Sequence, residues 1–181
     1  RHDYGQTAVI CNVTPAAAHN GRAFERFTPT GPFALLPHVD GRCGLVWSVA
    51  REEAGQLLKL DDASFLQCAQ AKFGTALGSW LKVGKRSSYP LRLVRALEDI
   101  RPRAVILGNA AHAIHPIGAQ GFNLGLRDVA VLAEVIAAAR AQDPQADIGE
   151  QQLLQEYSSW RAPDQAGTIA YSDGLVRLYA N

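Results

Sequence analysis

Residues Arg103 to Glu134 read RAVILGNAAHAIHPIGAQGFNLGLRDVAVLAE, and this stretch decides the fold. Arg103 to Leu107 is a short continuous apolar run that stops at Gly108, as buried parallel strands do. A glycine-rich loop follows from Gly108 to Gly121, and Phe122 to Arg140 has the pattern of a long helix. That helix is apolar almost all round, with only Arg127, Asp128 and Glu134 charged before Arg140, so it is expected inside a protein. Its roughly 19 residues approach membrane-span length, but two adjacent charges and Asn123 argue against a span. Glycines at 118, 121 and 125 allow close backbone approach, and the first free N–H groups of the helix point back into the loop. The positive end of the helix dipole favours negative charge there. Spacing alone fits a ligand cradle and an incidental glycine-rich connection equally well.

Upstream the texture differs. Gln6 to Val13 is β-branched and apolar and ends at Pro15, which predicts a strand. Phe24 to Phe27 and Phe33 to Leu36 are short strand candidates separated by a turn-rich segment, and Asp40-Gly41 marks a hairpin into Cys43 to Val49. Arg51 to Lys59 and Ala63 to Phe73 have helical spacing, while Trp80 to Arg86 and Tyr89 to Leu97 return to strand character. Downstream, Gln151 to Leu178 reads as mostly helical, broken near Pro163. The fold class is therefore α+β: an antiparallel sheet with a helical insertion over 1–98, a strand–loop–helix unit over 99–142, and a helical segment over 143–181.

Composition narrows the function classes. Hydrophobic residues make up 48% and charged residues 19%, which excludes disordered and collagen-like chains. Eighteen Lys+Arg against seventeen Asp+Glu give +1, so no basic field serves nucleic acid. The three cysteines, Cys11, Cys43 and Cys68, are far apart with no CxxC, which points to a reducing compartment. Methionine is absent and the chain begins Arg1-His2-Asp3, so it is expected to be an internal piece of a longer protein.

Specific wording carries more. Gly108-Asn109-Ala110-Ala111-His112, His115-Pro116, Gly118-Ala119-Gln120-Gly121-Phe122-Asn123 and Arg127-Asp128 together resemble the second flavin-binding motif of the group A FAD-dependent aromatic hydroxylases, which have the p-hydroxybenzoate hydroxylase fold. His19-Asn20-Gly21-Arg22-Ala23-Phe24-Glu25-Arg26-Phe27, Thr30 to Pro37 (TGPFALLP), Leu45-Val46-Trp47-Ser48 and Ser172-Asp173-Gly174-Leu175 extend the resemblance over the whole chain. They bring it near the ubiquinone-biosynthesis hydroxylases, and most like the 2-octaprenyl-6-methoxyphenol hydroxylases.

That resemblance implies a p-hydroxybenzoate-hydroxylase-like FAD/NAD(P)-binding fold. Residues 1–98 would be the substrate-domain sheet, 99–142 the last strand and buried helix of the FAD domain, and 143–181 a C-terminal helical segment. It implies FAD as cofactor, NAD(P)H as co-substrate, and hydroxylation of a prenylated phenol through a flavin C4a-hydroperoxide. The acidic residue of the family's Gly-Asp pair, which hydrogen-bonds the ribityl chain, is Asn109 here; an amide still donates and accepts. Gly108, Pro116, Gly118, Ala119, Gln120, Gly121, Phe122 and Asn123 would complete the cofactor-binding set, with the Gly118 to Asn123 backbone against the pyrimidine end of the flavin. No catalytic residue is assigned. The family's GxGxxG unit for the ADP half of FAD does not occur in these residues. The chain alone is therefore expected to be inactive, to retain little FAD and to self-associate through its orphaned strand and helix. The resemblance also implies a cytoplasmic location, peripheral to the inner membrane face, and membership of a quinone-biosynthesis complex. A non-catalytic substrate- or partner-binding module of such a complex is the alternative.

Other groupings stay open at this stage. His112 and His115 with His38 or Asp128 could form a metal set, though none is expected. Arg127 and Asp128 could serve the cofactor or be a helix charge pair. Phe33, Trp47 and Trp80 could line a pocket or fill the core, and Arg22, Arg26 and Arg86 read as solvated charges. No G-x-S-x-G elbow supports a Ser-His-Asp site.

Overall fold

A computed structural model describes residues 1–179; the last two residues of the predicted 143–181 segment lie outside the described ones. The described residues divide into two compact units, one comprising residues 3–91 with 177–179 and the other 92–176 with 1–2.

The first unit is built on antiparallel strands β1 (His2–Pro15), β2 (Phe24–Thr28), β3 (Gly31–Pro37) and β4 (Cys43–Ala50), followed by helices α1 (Arg51–Lys59) and α2 (Asp62–Phe73) and strand β5 (Trp80–Val83). Their order is β2-β3-β4-β1, with β5 also paired to β1. From Val9 onward β1 alternates buried and half-buried residues, which is the period of a strand with one face on a core. Register turns this alternation into rows: Val9 faces Trp47, which faces Phe33; Cys11 faces Leu45, which faces Leu35. Phe33 and Trp47 are stacked with ring centroids 4.7 Å apart, and Phe73 and Trp80 meet Phe33 edge-on at 5.1 and 6.2 Å. Phe33, Trp47 and Trp80 are thus core residues, joined there by Ala54, Leu57, Phe65 and Ala69 of the two helices. Each large apolar side chain among them contributes about 1.5–3 kcal/mol by leaving water, and each alanine about 0.8 kcal/mol. The Asp40-Gly41 turn closes the β3–β4 hairpin, with the His38 N–H donating to the Arg42 carbonyl. Asp61 caps α2 by accepting from the Ser64 N–H at 2.7 Å.

One surface expectation fails in this unit. Arg86 is not a solvated charge: its side chain is only 15% exposed, pairs with Asp62 at 3.0 Å, and lies 5.0 Å over the Phe65 ring. A guanidinium combines an apolar face with a charged rim, so it can cover an aromatic and keep an ion pair at once.

Strand β6 (Ser87–Arg95) runs into the second unit, which holds β7 (Ile100–Arg101), β8 (Ala104–Val105), β9 (His112–Ala113), α3 (Gln120–Gln142) and α4 (Gln151–Tyr179). The end of β6 pairs antiparallel with β9, Val94 opposite Ala113 and Arg95 opposite His112. Short 3-10 turns at Gly108–Ala110 and Ile117–Ala119 flank β9.

Here the sequence reading is amended in three places. The Arg103 to Leu107 run does not form a buried parallel strand. Only Ala104–Val105 is extended, antiparallel to Ile100–Arg101, and Ile106 is 38% exposed. A parallel strand needs a parallel neighbour, and among the described residues none pairs with it in parallel. Helix α3 is one residue pair longer at each end than expected and buries one face, through Leu124, Asp128 and Val135, while Phe122, Leu126 and Val129 stay exposed. Helix α4 runs unbroken through Pro163. Proline costs a backbone hydrogen bond, but Arg161 and Gln165 on either side of it both bond Asp128 and anchor the helix there. Among the described residues no helix is long and apolar enough to cross a membrane.

Candidate functional site

The second unit places the glycine loop around the start of α3. The 3-10 turn beginning at Gly108 (φ 54°) meets α3 at Gly125, where an added Cβ would lie 3.2 Å from the Gly108 Cα. Glycine at 125 leaves room for that approach of turn to helix, which a larger residue would have to push apart. The contact shapes a groove of about 530 Å³ lined by Leu107, Gly108, Asn109, Gly121, Phe122, Gly125, Leu126 and Val129. Four of the sequence-predicted cofactor residues, Gly108, Asn109, Gly121 and Phe122, therefore converge on one surface.

The others lie elsewhere in the loop. Pro116 opens the second 3-10 turn, and Gly118 (φ 76°) packs toward α4, where a Cβ would stand 3.6 Å from Tyr171. Ser172 donates to the His115 carbonyl at 3.2 Å and pins the same loop to α4. Ala119 takes the left-handed conformation (φ 51°, ψ 34°) and starts α3 with no side-chain cap and no acidic residue in the first turn. Gln120 bonds the Gly118 carbonyl at 3.2 Å, and Asn123 is exposed on the first turn of α3.

Asp128 has partners that the sequence did not reveal. It is fully buried, and it does not pair with Arg127. Its Oδ2 accepts from His112 Nε2 at 2.6 Å and from the Gly108 N–H at 3.3 Å. Its Oδ1 accepts from Arg161 Nε at 2.8 Å and Gln165 Nε2 at 3.2 Å. Burial alone would raise this carboxyl, but hydrogen bonds from Arg161, Gln165 and His112 outweigh it and hold Asp128 below the usual carboxylate range. A carboxylate only accepts, so His112 donates from Nε2 and its Nδ1 is left buried without a partner. Arg127 reaches outward to Asp164 at 2.7 Å and Thr168 at 3.2 Å. An acid in an otherwise apolar helix was the available signal; its partners in α4 are too distant in sequence to be read.

The candidate metal histidines have other work. His112 is held by Asp128, and His115 Nδ1 accepts from the Ile117 N–H at 3.1 Å. Among the described residues no group of three His, Cys, Asp or Glu side chains could hold a metal ion.

The residues present suit a flavin. An uncapped helix N-terminus offers backbone donors and positive potential to an electron-rich ring edge, and the glycine-walled groove lets a flat ring approach the backbone. The fold is that of the p-hydroxybenzoate-hydroxylase-like class of flavoproteins. The chain belongs to the FAD binding domain family, which matches residues 8–171.

Among its relatives, ubiquinone hydroxylase UbiL of Rhodospirillum rubrum is 43% identical over 98% of this chain and 41% of its own length. The mitochondrial ubiquinone biosynthesis monooxygenase COQ6 of Xenopus tropicalis is 33% identical over 98% of this chain and 45% of its own. The chain thus spans less than half the length of these relatives. Among solved structures, PqsL of Pseudomonas aeruginosa, a probable FAD-dependent monooxygenase, superposes with a TM-score of 0.73 at 21% identity, covering all of this chain and 50% of its own. HpxO of Klebsiella pneumoniae, solved with FAD, gives 0.66 at 16% identity over 95% of this chain and 45% of its own. These two show the fold.

Proposed function

We propose that the chain is part of an FAD-dependent aromatic-ring monooxygenase that hydroxylates a prenylated phenol in ubiquinone biosynthesis, with NAD(P)H as reductant. The observation that carries this is the convergence of Gly108, Asn109, Gly121 and Phe122 on one groove beside the uncapped start of α3. The relatives' names supply the substrate class.

In this reading the N–H groups of Gln120 to Asn123 donate to the pyrimidine edge of the flavin. The Asn109 amide, exposed at the groove, hydrogen-bonds a ribityl hydroxyl. Gly108 and Gly121 leave room for the ring, Pro116 fixes the loop that carries Gly118 and Ala119, and Phe122, 79% exposed, supplies an apolar surface that excludes water beside it. Bound FAD would supply the electrons and the oxygen activation that ring hydroxylation needs. Residues 1–98 act as the substrate-side sheet, 99–142 as the FAD-binding portion and 143–181 as the helical segment that backs it.

We further propose that the 181 residues alone hold FAD weakly, because one groove meets only part of so long a cofactor, and that Phe122, Leu126 and Val129 then drive self-association. A cytoplasmic site of action at the inner membrane face, within a quinone-biosynthesis complex, fits a substrate with a long apolar tail. The test is the full-length protein: stoichiometric flavin and NAD(P)H-dependent appearance of the hydroxylated prenylphenol support the reading, and a flavin-free protein without that product refutes it.

A further inference from the structure

We propose that Asp128 is a positioning residue for the groove, a two-sided clamp whose Oδ2 holds the Gly108 turn and whose Oδ1 is moored to α4. The proposal rests on the FAD reading of that groove.

Division of labour between the two oxygens is the central observation. Oδ2 takes the Gly108 N–H and, from β9, His112 Nε2, while Oδ1 takes Arg161 Nε and Gln165 Nε2 from α4. Gly108 and Asn109 line the groove directly. Asp128 lies three residues beyond Gly125 on the same face of α3, so the helix grips one turn twice, by close contact at Gly125 and by hydrogen bond at Asp128. Asp128, His112, Arg161 and Gln165 are all buried, at 0%, 2%, 3% and 6% exposure.

Stability does not require such a network. Buried ion pairs replaced by packed apolar side chains are often neutral or stabilising, whereas a half-satisfied one is costly. What the charge adds here is direction: four donors converge on one carboxylate and fix the turn, β9 and α4 to a single point of α3. Without the Oδ2 contacts the Gly108 turn keeps its backbone bonds (Ala111 N–H to the Gly108 carbonyl, Ala96 N–H to the Ala111 carbonyl) and its van der Waals contact with Gly125. It loses the hydrogen bond that ties the Gly108 N–H to α3, and the left-handed Gly108 can swing Asn109 away from the groove.

The test compares three variants of the full-length protein by FAD titration, urea denaturation and hydrogen exchange at the Gly108 amide. Asp128→Asn sets an amide donor among donors, and His112→Phe removes the stronger Oδ2 contact while keeping a ring of similar size. Both should raise the FAD dissociation constant by about ten- to a hundredfold and speed exchange at Gly108. Gln165→Met removes an Oδ1 contact only; it should lower the denaturation midpoint while leaving the dissociation constant within roughly twofold. If Asp128→Asn does not fold, His112→Phe carries the same expectation. Unchanged FAD affinity and unchanged Gly108 exchange in His112→Phe would overturn the clamp. So would losses of affinity that track lost stability equally in His112→Phe and Gln165→Met. A wild-type protein that takes up no FAD would instead refute the reading of the groove on which the clamp depends.

Discussion

Replacing Gly125 by alanine probes a close backbone approach in the second unit. The new methyl would stand 3.2 Å from the Gly108 Cα. Carbon atoms in favourable contact sit about 3.5–4.0 Å apart, so the turn and α3 must part by roughly 0.3–0.8 Å. Overpacking of this kind costs about 1–3 kcal/mol, and alanine returns about 1 kcal/mol through its better helix propensity. The net effect lies between neutral and about 2 kcal/mol destabilising. Gly167→Ala, in α4 with nothing within 4 Å of its added Cβ, is the matched control. It keeps the propensity gain and meets no clash, so it should raise Tm by roughly 2–4 °C. Paired thermal and urea denaturation should therefore place Gly125→Ala about 1–3 kcal/mol below Gly167→Ala. Equal stabilisation by both alanines would show that turn and helix are not in contact at Gly108.

Phe33→Ala removes the ring that Trp47, Phe73 and Trp80 all touch, and should cost about 3–5 kcal/mol in urea denaturation; a loss below about 1 kcal/mol would contradict the packing. Burial pushes His115 from 6.5 down to about 4. The unfolded chain therefore binds more protons than the folded one between those values, and this contribution to stability is complete above pH 6.5 and lost as pH falls toward 4. His115→Asn keeps an acceptor for the Ile117 N–H but does not titrate, so the stability advantage of wild type over the variant should shrink as pH falls through that window. A constant difference would refute the buried, neutral imidazole.

Strand alternation was legible because one face of β1, β3 and β4 packs on a single core, and α1 fell on its sequence-read residues because its leucine spacing and acidic start agree. Pro163 misled because a local rule says break, while Arg161 and Gln165 on either side of it anchor the helix to Asp128 of α3. The apolar run at Arg103 to Leu107 is extended at Ala104–Val105 alone because strand character needs a partner, and among the described residues the strand paired with it is the two-residue β7. In the site, the glycines and Asn109 were legible as a motif, and the groove joins Gly108, Asn109, Gly121 and Phe122 while leaving Pro116, Gly118, Ala119, Gln120 and Asn123 off its lining. Asp128 was noticed but not understood. Its meaning lies in long-range partners that no spacing along the chain reports.

A hydrogen-exchange footprint of FAD on the full-length protein tests the central claim most directly. If the groove beside α3 carries the flavin, saturating FAD should slow exchange at residues 107–109 and 120–123, the groove wall and the uncapped start of the helix. Residues of the core strands, Val9, Leu35 and Leu45 among them, should be unchanged. Bound FAD with no protection at 107–109 and 120–123 would contradict the placement.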